Sequence, residues 1–238
     1  MSGHSKWASI KHQKAVTDGK RGKVFSKFAS NIALAARDGG DPSSNAKLRL
    51  LIEKAKAMAM PKDNIERAIK RGSGVGEGGS TFEEIMIEAY GPHGSGILVQ
   101  AATENKNRTL PEVKHILSGN GAKPAEAGSV KYMFKELGNI VIKKEKWNDD
   151  LSLVAIELGA SDIAEEDDVI IVKTSIHDLN KVKMELEKSV AIEDSYINWE
   201  SDQVVKLENE EEKAKMEKLF NDLDDNDDVV EVYSNIDF

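Results

Sequence analysis

The chain has 238 residues, 33 Lys+Arg against 42 Asp+Glu, a formal net charge of −9 and no cysteine. That length accommodates one to three domains, each able to bury a core. The missing cysteine excludes disulfides, thiolate nucleophiles and cysteine metal sites, and fits a reducing compartment. No apolar run approaches the roughly 18 residues of a membrane span. The basic first 23 residues lack the apolar stretch of a secretory signal, so a cytoplasmic protein is expected.

The charge is segregated. Residues 1–75 hold 16 Lys+Arg and 6 Asp+Glu, a net of +10; residues 76–238 hold 17 and 36, a net of −19. A basic third and an acidic remainder present surfaces suited to different partners.

Residues 2–23 carry His4, Lys6, Trp7, Lys11, His12, Lys14, Lys20, Arg21 and Lys23 against one acid, Asp18. Their apolar residues are too sparse to define a buried face, which predicts an arm of partial helical tendency. Phe25, Phe28, Ile32 and Ala35 then follow helical spacing up to Asp38-Gly39-Gly40. Asp41-Pro42 reads as the start of a second helix carrying Leu48, Leu51, Ala55 and Met58 inward as far as Pro61. A third places Ile65, Ala68 and Ile69 inward and stops at Arg71-Gly72. Three short amphipathic helices make a small bundle. Its cations, including Lys27, Lys47, Arg49, Lys54, Lys56, Arg67, Lys70 and Arg71, are one-sided in sign, which favours a phosphate-facing surface over ordinary solvated faces. Trp7 among lysines suits stacking on an unpaired base, and equally suits packing on the bundle. No helix-turn-helix, zinc-finger or RNA-recognition signature accompanies them, so backbone and shape recognition is expected rather than base readout.

Gly72, Gly74, Gly76, Gly78 and Gly79 follow. A helix precedes them and Ser80-Thr81-Phe82 leads into a strand, the reverse of a phosphate-binding loop, so they read as a flexible linker where the charge changes sign.

Beyond it, strands are predicted at 82–90, 96–103, 129–134, 139–142, 169–174, 195–199, 203–207 and 229–233. Helices are predicted from Thr109-x-x-Glu112 as a capping box, from Asp150 to Leu158, after Ser175, and after Asn209-x-x-Glu212. The order implies two small α+β sandwiches with helices on one sheet face. The five histidines (His4, His12, His93, His115, His177) lack zinc spacing. Asp222, Asp224, Asn226 and Asp228 imitate a calcium loop, but Asp227 and Tyr233 stand where Gly and Glu are needed. No nucleophile stands beside a recognisable base, so a non-catalytic chain without metal or cofactor is expected. One polar cluster remains. Tyr90-Gly91-Pro92-His93-Gly94 forms a turn, and Thr103-Glu104-Asn105-Lys106-Asn107-Arg108-Thr109 sits at a strand-to-helix junction. Capping and loop hydrogen bonds explain most of it, while Lys106 and Arg108 form a positive spot on an acidic body.

Gly3-His4-Ser5-Lys6-Trp7, Ile10-Lys11-His12, Lys20-Arg21-Gly22-Lys23, the run from Met60 to Ile69, Tyr90-Gly91-Pro92, Asn107-Arg108-Thr109, Gly128-Ser129-Val130 and the run from Val229 to Tyr233 form a familiar set. In these stretches the chain resembles the YebC family, bacterial proteins usually labelled transcriptional regulators, whose mitochondrial relative is a translational activator of cytochrome c oxidase subunit one. The resemblance is carried by sequence blocks and not by composition. It covers essentially the whole length and departs at His93–Gly96 and Ala122–Glu126. The resemblance implies an α+β multidomain protein: a basic arm and three-helix bundle (1–75), a discontinuous α+β domain (76–134 plus 201–238), and a second α+β domain (135–200) inserted into it. It implies a non-catalytic role in gene expression, either as a DNA-binding transcriptional regulator or as a ribosome-associated translation factor.

The absence of a recognition helix, and a body of −19 that a bare duplex would repel, tilt the expectation toward rRNA on a ribosome. Ribosomal proteins would then be further partners of a chain acting as a monomer, with no membrane involved. The expected contact residues are His4, Lys6, Trp7, Lys11, His12, Lys14, Lys20, Arg21, Lys23, Lys27, Arg67, Lys70 and Arg71. Tyr90, Asn105, Lys106, Asn107 and Arg108 form the secondary cluster.

Overall fold

The computed structural model describes residues 18–74 and 82–238, with side chains from Gly22 onward. The chain divides into two compact units. One is the continuous segment Phe134–Ser201; the other is built from the chain before it and from Asp202 to Phe238.

The second unit begins with α1 (Asp18–Ala36), α2 (Ala46–Ala57) and α3 (Lys62–Gly72). Ile32, Ala35, Leu48, Ile52, Ala55, Met60, Ile65 and Ala68 form their shared core. The cap of α2 is Asn45, not Asp41. Its Oδ1 accepts from Leu48 N at 3.0 Å, and its Nδ2 donates to Ala35 O at 2.7 Å and Gly39 O at 2.8 Å. One side chain thus satisfies orphan groups at the end of α1 and the start of α2. Asp41 closes a local turn with Ser43 instead. Met58 is 41% exposed, because α2 has ended and Met60 takes the inward place. Gly72 is a packing residue rather than the start of a linker: a Cβ there would lie 1.9 Å from Ala33 O. The predicted linker's Gly76, Gly78 and Gly79 lie outside the described residues.

A four-stranded antiparallel sheet follows, from β1 (Glu83–Tyr90), β2 (Gly96–Thr103), β3 (Lys123–Ala125) and β9 (Val229–Ser234), in the order β3-β1-β2-β9. Helices α4 (Lys106–Gly119) and α7 (Glu210–Asp225) cover one face through Val113, Leu117, Leu219 and Phe220, against Ile85, Ile87, Ile97 and Val99. The other face is not open as expected: Ala33 and Leu34 of α1 pack there on Phe82, Ala102 and Val230. α4 starts three residues before the predicted capping box, with Asn105 as its cap. The strand predicted at 129–134 is absent. Glu88 takes the N–H groups of Gly128, Val130 and Lys131, donors that a ladder would have needed, and the chain closes a single 3-10 turn at Lys131–Met133. Asn235, 2% exposed, ties the far end of the unit by accepting from Gly96 N and donating to Gln203 O, both at 2.7 Å. Beside it β8 (Val205–Lys206) and β10 (Ile236–Asp237) form a short parallel pair.

The continuous unit contains β4 (Lys135–Lys143), α5 (Asp149–Glu157), β5 (Ala160–Glu166), β6 (Val169–Thr174), α6 (Ile176–Leu186) and β7 (Asp194–Glu200). Its sheet has the order β5-β6-β4-β7 with every pair antiparallel, the split β-α-β-β-α-β arrangement of ferredoxin-like folds. Ser175 caps α6 as expected, accepting from Asp178 N, and Asn148 caps α5. Gly138 admits α6 closely onto β4, since a Cβ would lie 2.8 Å from Leu179 Cβ.

Candidate nucleic-acid interface

The densest part of the expected interface, His4, Lys6, Trp7, Lys11, His12 and Lys14, lies outside the described residues. Lys20 and Arg21 fall within α1, outside the described side chains.

Lys23 and Lys27, one helical turn apart on α1, reach the C-terminal end of α7. Lys23 Nζ donates to Asp225 Oδ1 at 2.6 Å and to Asp225 O at 2.9 Å, and Lys27 pairs with Asp224. The Lys27 side chain is only 12% exposed. The last turn of α7 carries acids and no basic residue, so its carboxylates add to the negative end of the helix dipole, and the two lysines neutralise it. The chain has taken up these two cations internally. Their partners stand 202 and 197 residues away, beyond any spacing rule.

The α3 cations are placed differently. Ile65, Ala68 and Gly72 line the face toward the bundle, leaving Arg67, Lys70 and Arg71 on the outer flank. Arg67 Nε donates to Asp63 O at 3.3 Å, and its Nη2 bonds Asn64, within its own helix. Lys70 is exposed; its carbonyl accepts from Ser73 Oγ at 3.4 Å, and its side chain has no polar partner among the described residues. The Arg71 guanidinium lies 4.3 Å from the centre of the Phe82 ring, a cation–π contact that fixes it while leaving its charge at the surface. Arg49, counted with the outer cations from sequence, is spent on the carbonyls of Pro42 and Ser43.

The secondary cluster divides in the same way. Asp228, 120 residues from Arg108, is its hidden centre: Oδ2 accepts from Arg108 Nη2 at 2.5 Å and from Thr109 Oγ1 at 2.5 Å. Thr109, wholly buried, also lies 2.8 Å from Thr103 Oγ1, which itself accepts from Asn105 N at 3.0 Å. Asn105 is a cap and Arg108 an anchor, whereas Lys106 and Asn107 remain exposed at the first turn of α4. Tyr90 donates its hydroxyl to Ser129 O at 2.7 Å, a loop contact. In the sequence, Thr103 stands at the junction and Asp228 among the calcium-like acids with nothing to link either to Arg108, and Glu88 stands in no recognisable motif. Of the calcium-like acids, Asp222 binds Asn120 and Lys218, Asp224 binds Lys27, and Asp228 holds Arg108. Among the described residues no cluster of His, Asp and Glu is arranged to hold a metal. No described helix is long and apolar enough to cross a membrane.

These features define a class: an α+β protein with a cationic helical segment packed on an antiparallel sheet, and a ferredoxin-like unit carried within the chain. Residues 5–75 match the model of the TACO1/YebC protein N-terminal domain and residues 82–236 that of the TACO1/YebC second and third domain, so the chain belongs to the TACO1/YebC family. A "Probable transcriptional regulatory protein" of Desulforamulus reducens is 46% identical over 99% of this chain and 98% of its own length. Another so named, from Thermoanaerobacter pseudethanolicus, is 43% identical over 99% and 97%. The crystal structure of a conserved hypothetical protein from Aquifex aeolicus superposes with a TM-score of 0.83 at 42% identity, covering 98% of this chain and 97% of that one.

Proposed function

We propose that this chain is a non-catalytic nucleic-acid-binding regulator of gene expression, and that its basic N-terminal domain, residues 1–75, contacts rRNA on the ribosome. The carrying observation is the division of charge, +10 in residues 1–75 against −19 in the remainder. A surface of that sign attracts phosphates and releases their counterions, whereas the acidic remainder is repelled by a bare duplex but tolerates protein neighbours. Arg67 and Lys70 on the flank of α3 extend the cationic surface beyond the arm. The alternative is a DNA-binding transcriptional regulator, the label borne by its relatives. Crosslinking the protein in living cells and sequencing the recovered nucleic acid separates the two. One discrete cluster in rRNA is the expected result; promoter DNA sharing a common site would overturn it in favour of the alternative.

A further inference from the structure

The loop between β3 and β4 is held by an expensive device. Glu88, on β1 and 3% exposed, would be pushed toward its neutral form by burial. Instead Oε1 accepts from Gly128 N at 2.6 Å, and Oε2 accepts from Val130 N at 2.6 Å and Lys131 N at 2.8 Å. These bonds, with the charge of Lys131, leave its carboxyl below the ordinary value of 4.5. Tyr90, two residues on along the same strand face, takes Ser129 O with its hydroxyl. Gly128 supplies the left-handed turn at φ +87°, and Val130 is wholly buried beneath the loop.

The residue this scaffold displays is Tyr132. It is 74% exposed, the most exposed large apolar side chain among the described residues, and it stands in the 3-10 turn Lys131–Met133. Lys131 precedes it, and Lys123, opposite Tyr90 in the β1–β3 ladder, projects from the same sheet face. Residues 119–133 carry Lys123 and Lys131 against Glu126, and with the Glu88 carboxylate beneath the loop the charges balance, a neutral spot inside the strongly acidic part of the chain. A rigid aromatic ring beside cations, its loop already ordered before binding, has the chemistry of a platform for an unpaired base followed by a phosphate.

We infer that Tyr132, on the loop anchored by Glu88, is a stacking site for an unpaired nucleobase of a single-stranded RNA segment, separate from the basic domain. The inference rests on the nucleic-acid reading above and adds a second contact to it. Stacking needs the ring and not the hydroxyl. Glu88 acts as a positioning residue.

The test uses the full chain with a short single-stranded RNA carrying 2-aminopurine, and with the duplex formed from the same strand. The wild-type protein is expected to bind the single strand and quench the 2-aminopurine emission. Tyr132→Phe should behave as wild type. Tyr132→Ala should bind the single strand about tenfold more weakly without quenching, and bind the duplex unchanged. Glu88→Gln should speed amide exchange at Val130 and Lys131 and weaken only the single-strand complex. Tyr132→Ala binding the single strand as tightly as wild type would overturn the stacking site while the nucleic-acid reading stands. A wild-type protein that binds neither probe overturns both.

Discussion

Two pairs of helical cations, alike in sequence, end in opposite situations. Lys23 and Lys27 lie on α1, Arg67 and Lys70 on α3, each pair spaced to share a face. The first pair is drawn into contact with Asp225 and Asp224; the second stays on the outer flank, where Arg67 bonds only within its own helix and the Lys70 side chain is exposed. What separates them is the company each helix keeps. The sheet side of α1 brings it beside the acidic end of α7, whereas α3, outside the bundle, reaches the ring of Phe82 through Arg71 and meets no acidic helix end among the described residues. A count of positive charge therefore overstates the surface available to phosphate, and the excess is known only once the distant acids are placed.

The largest effect expected attacks the seat of α3. Gly72→Ala would drive a Cβ into the Ala33 carbonyl, a backbone atom that cannot swing aside, so α3 must shift off α1. A loss of about 3 kcal/mol is expected, a fall of roughly 6–12 °C in thermal midpoint for a chain this long, read by circular dichroism. A midpoint within a degree of wild type would mean that α3 does not hold this close approach.

A second test concerns a polar group that, unlike Lys23 and Lys27, is buried with its partners. Glu88→Gln removes the charge that three backbone N–H groups point at, at a cost of about 2 kcal/mol near neutral pH. Because the folded-state pKa of Glu88 lies below 4.5, the unfolded chain takes up the proton first as pH falls. The stabilisation is therefore complete above that ordinary value and is lost as pH drops through the lowered one. Chemical denaturation of both proteins should show their difference shrinking below about pH 4.5. A gap that stays constant down to pH 2 would refute the charged carboxylate.

The architecture was legible where periodicity and caps carried it. Strands 96–103 and 169–174 were located to the residue, and Ser175 and Asn209 cap the helices assigned to them. Elements were lost where a local rule met a distant partner. The apolar run at 129–134 reads as a strand, yet its donors belong to Glu88, forty residues back. Thr109 satisfies the pattern of a capping box, yet its hydroxyl is buried between Thr103 and Asp228. β3 and β5 escaped because one is three residues long and contains Pro124, and the other carries Asp162, Glu165 and Glu166 among its seven residues. Of the candidate site, the cationic character and the α3 flank could be read from the chain. The internal pairing of Lys23, Lys27, Arg49 and Arg108 could not, since each depends on tertiary contact.

The smallest expected effects compare the two pairs directly. If α3 faces phosphate, replacing Arg67 and Lys70 together by Glu should weaken binding and lower the slope of log affinity against log salt by about 2. Replacing Lys23 and Lys27 together by Ala should leave that slope unchanged, because neither offers its charge to solvent-borne phosphate. Its cost should fall on stability instead. The Lys23–Asp225 pair, with Asp225 79% exposed, contributes at most a few tenths of a kcal/mol, and the more enclosed Lys27–Asp224 pair about 1 kcal/mol. A binding titration over a salt series and a urea melt on each variant give both numbers. Should the α1 variant lower the slope as far as the α3 variant does, Asp224 and Asp225 surrender their lysines when nucleic acid arrives. The two pairs would then differ only in the free protein, and the acidic end of α7 would be acting as a stand-in for phosphate.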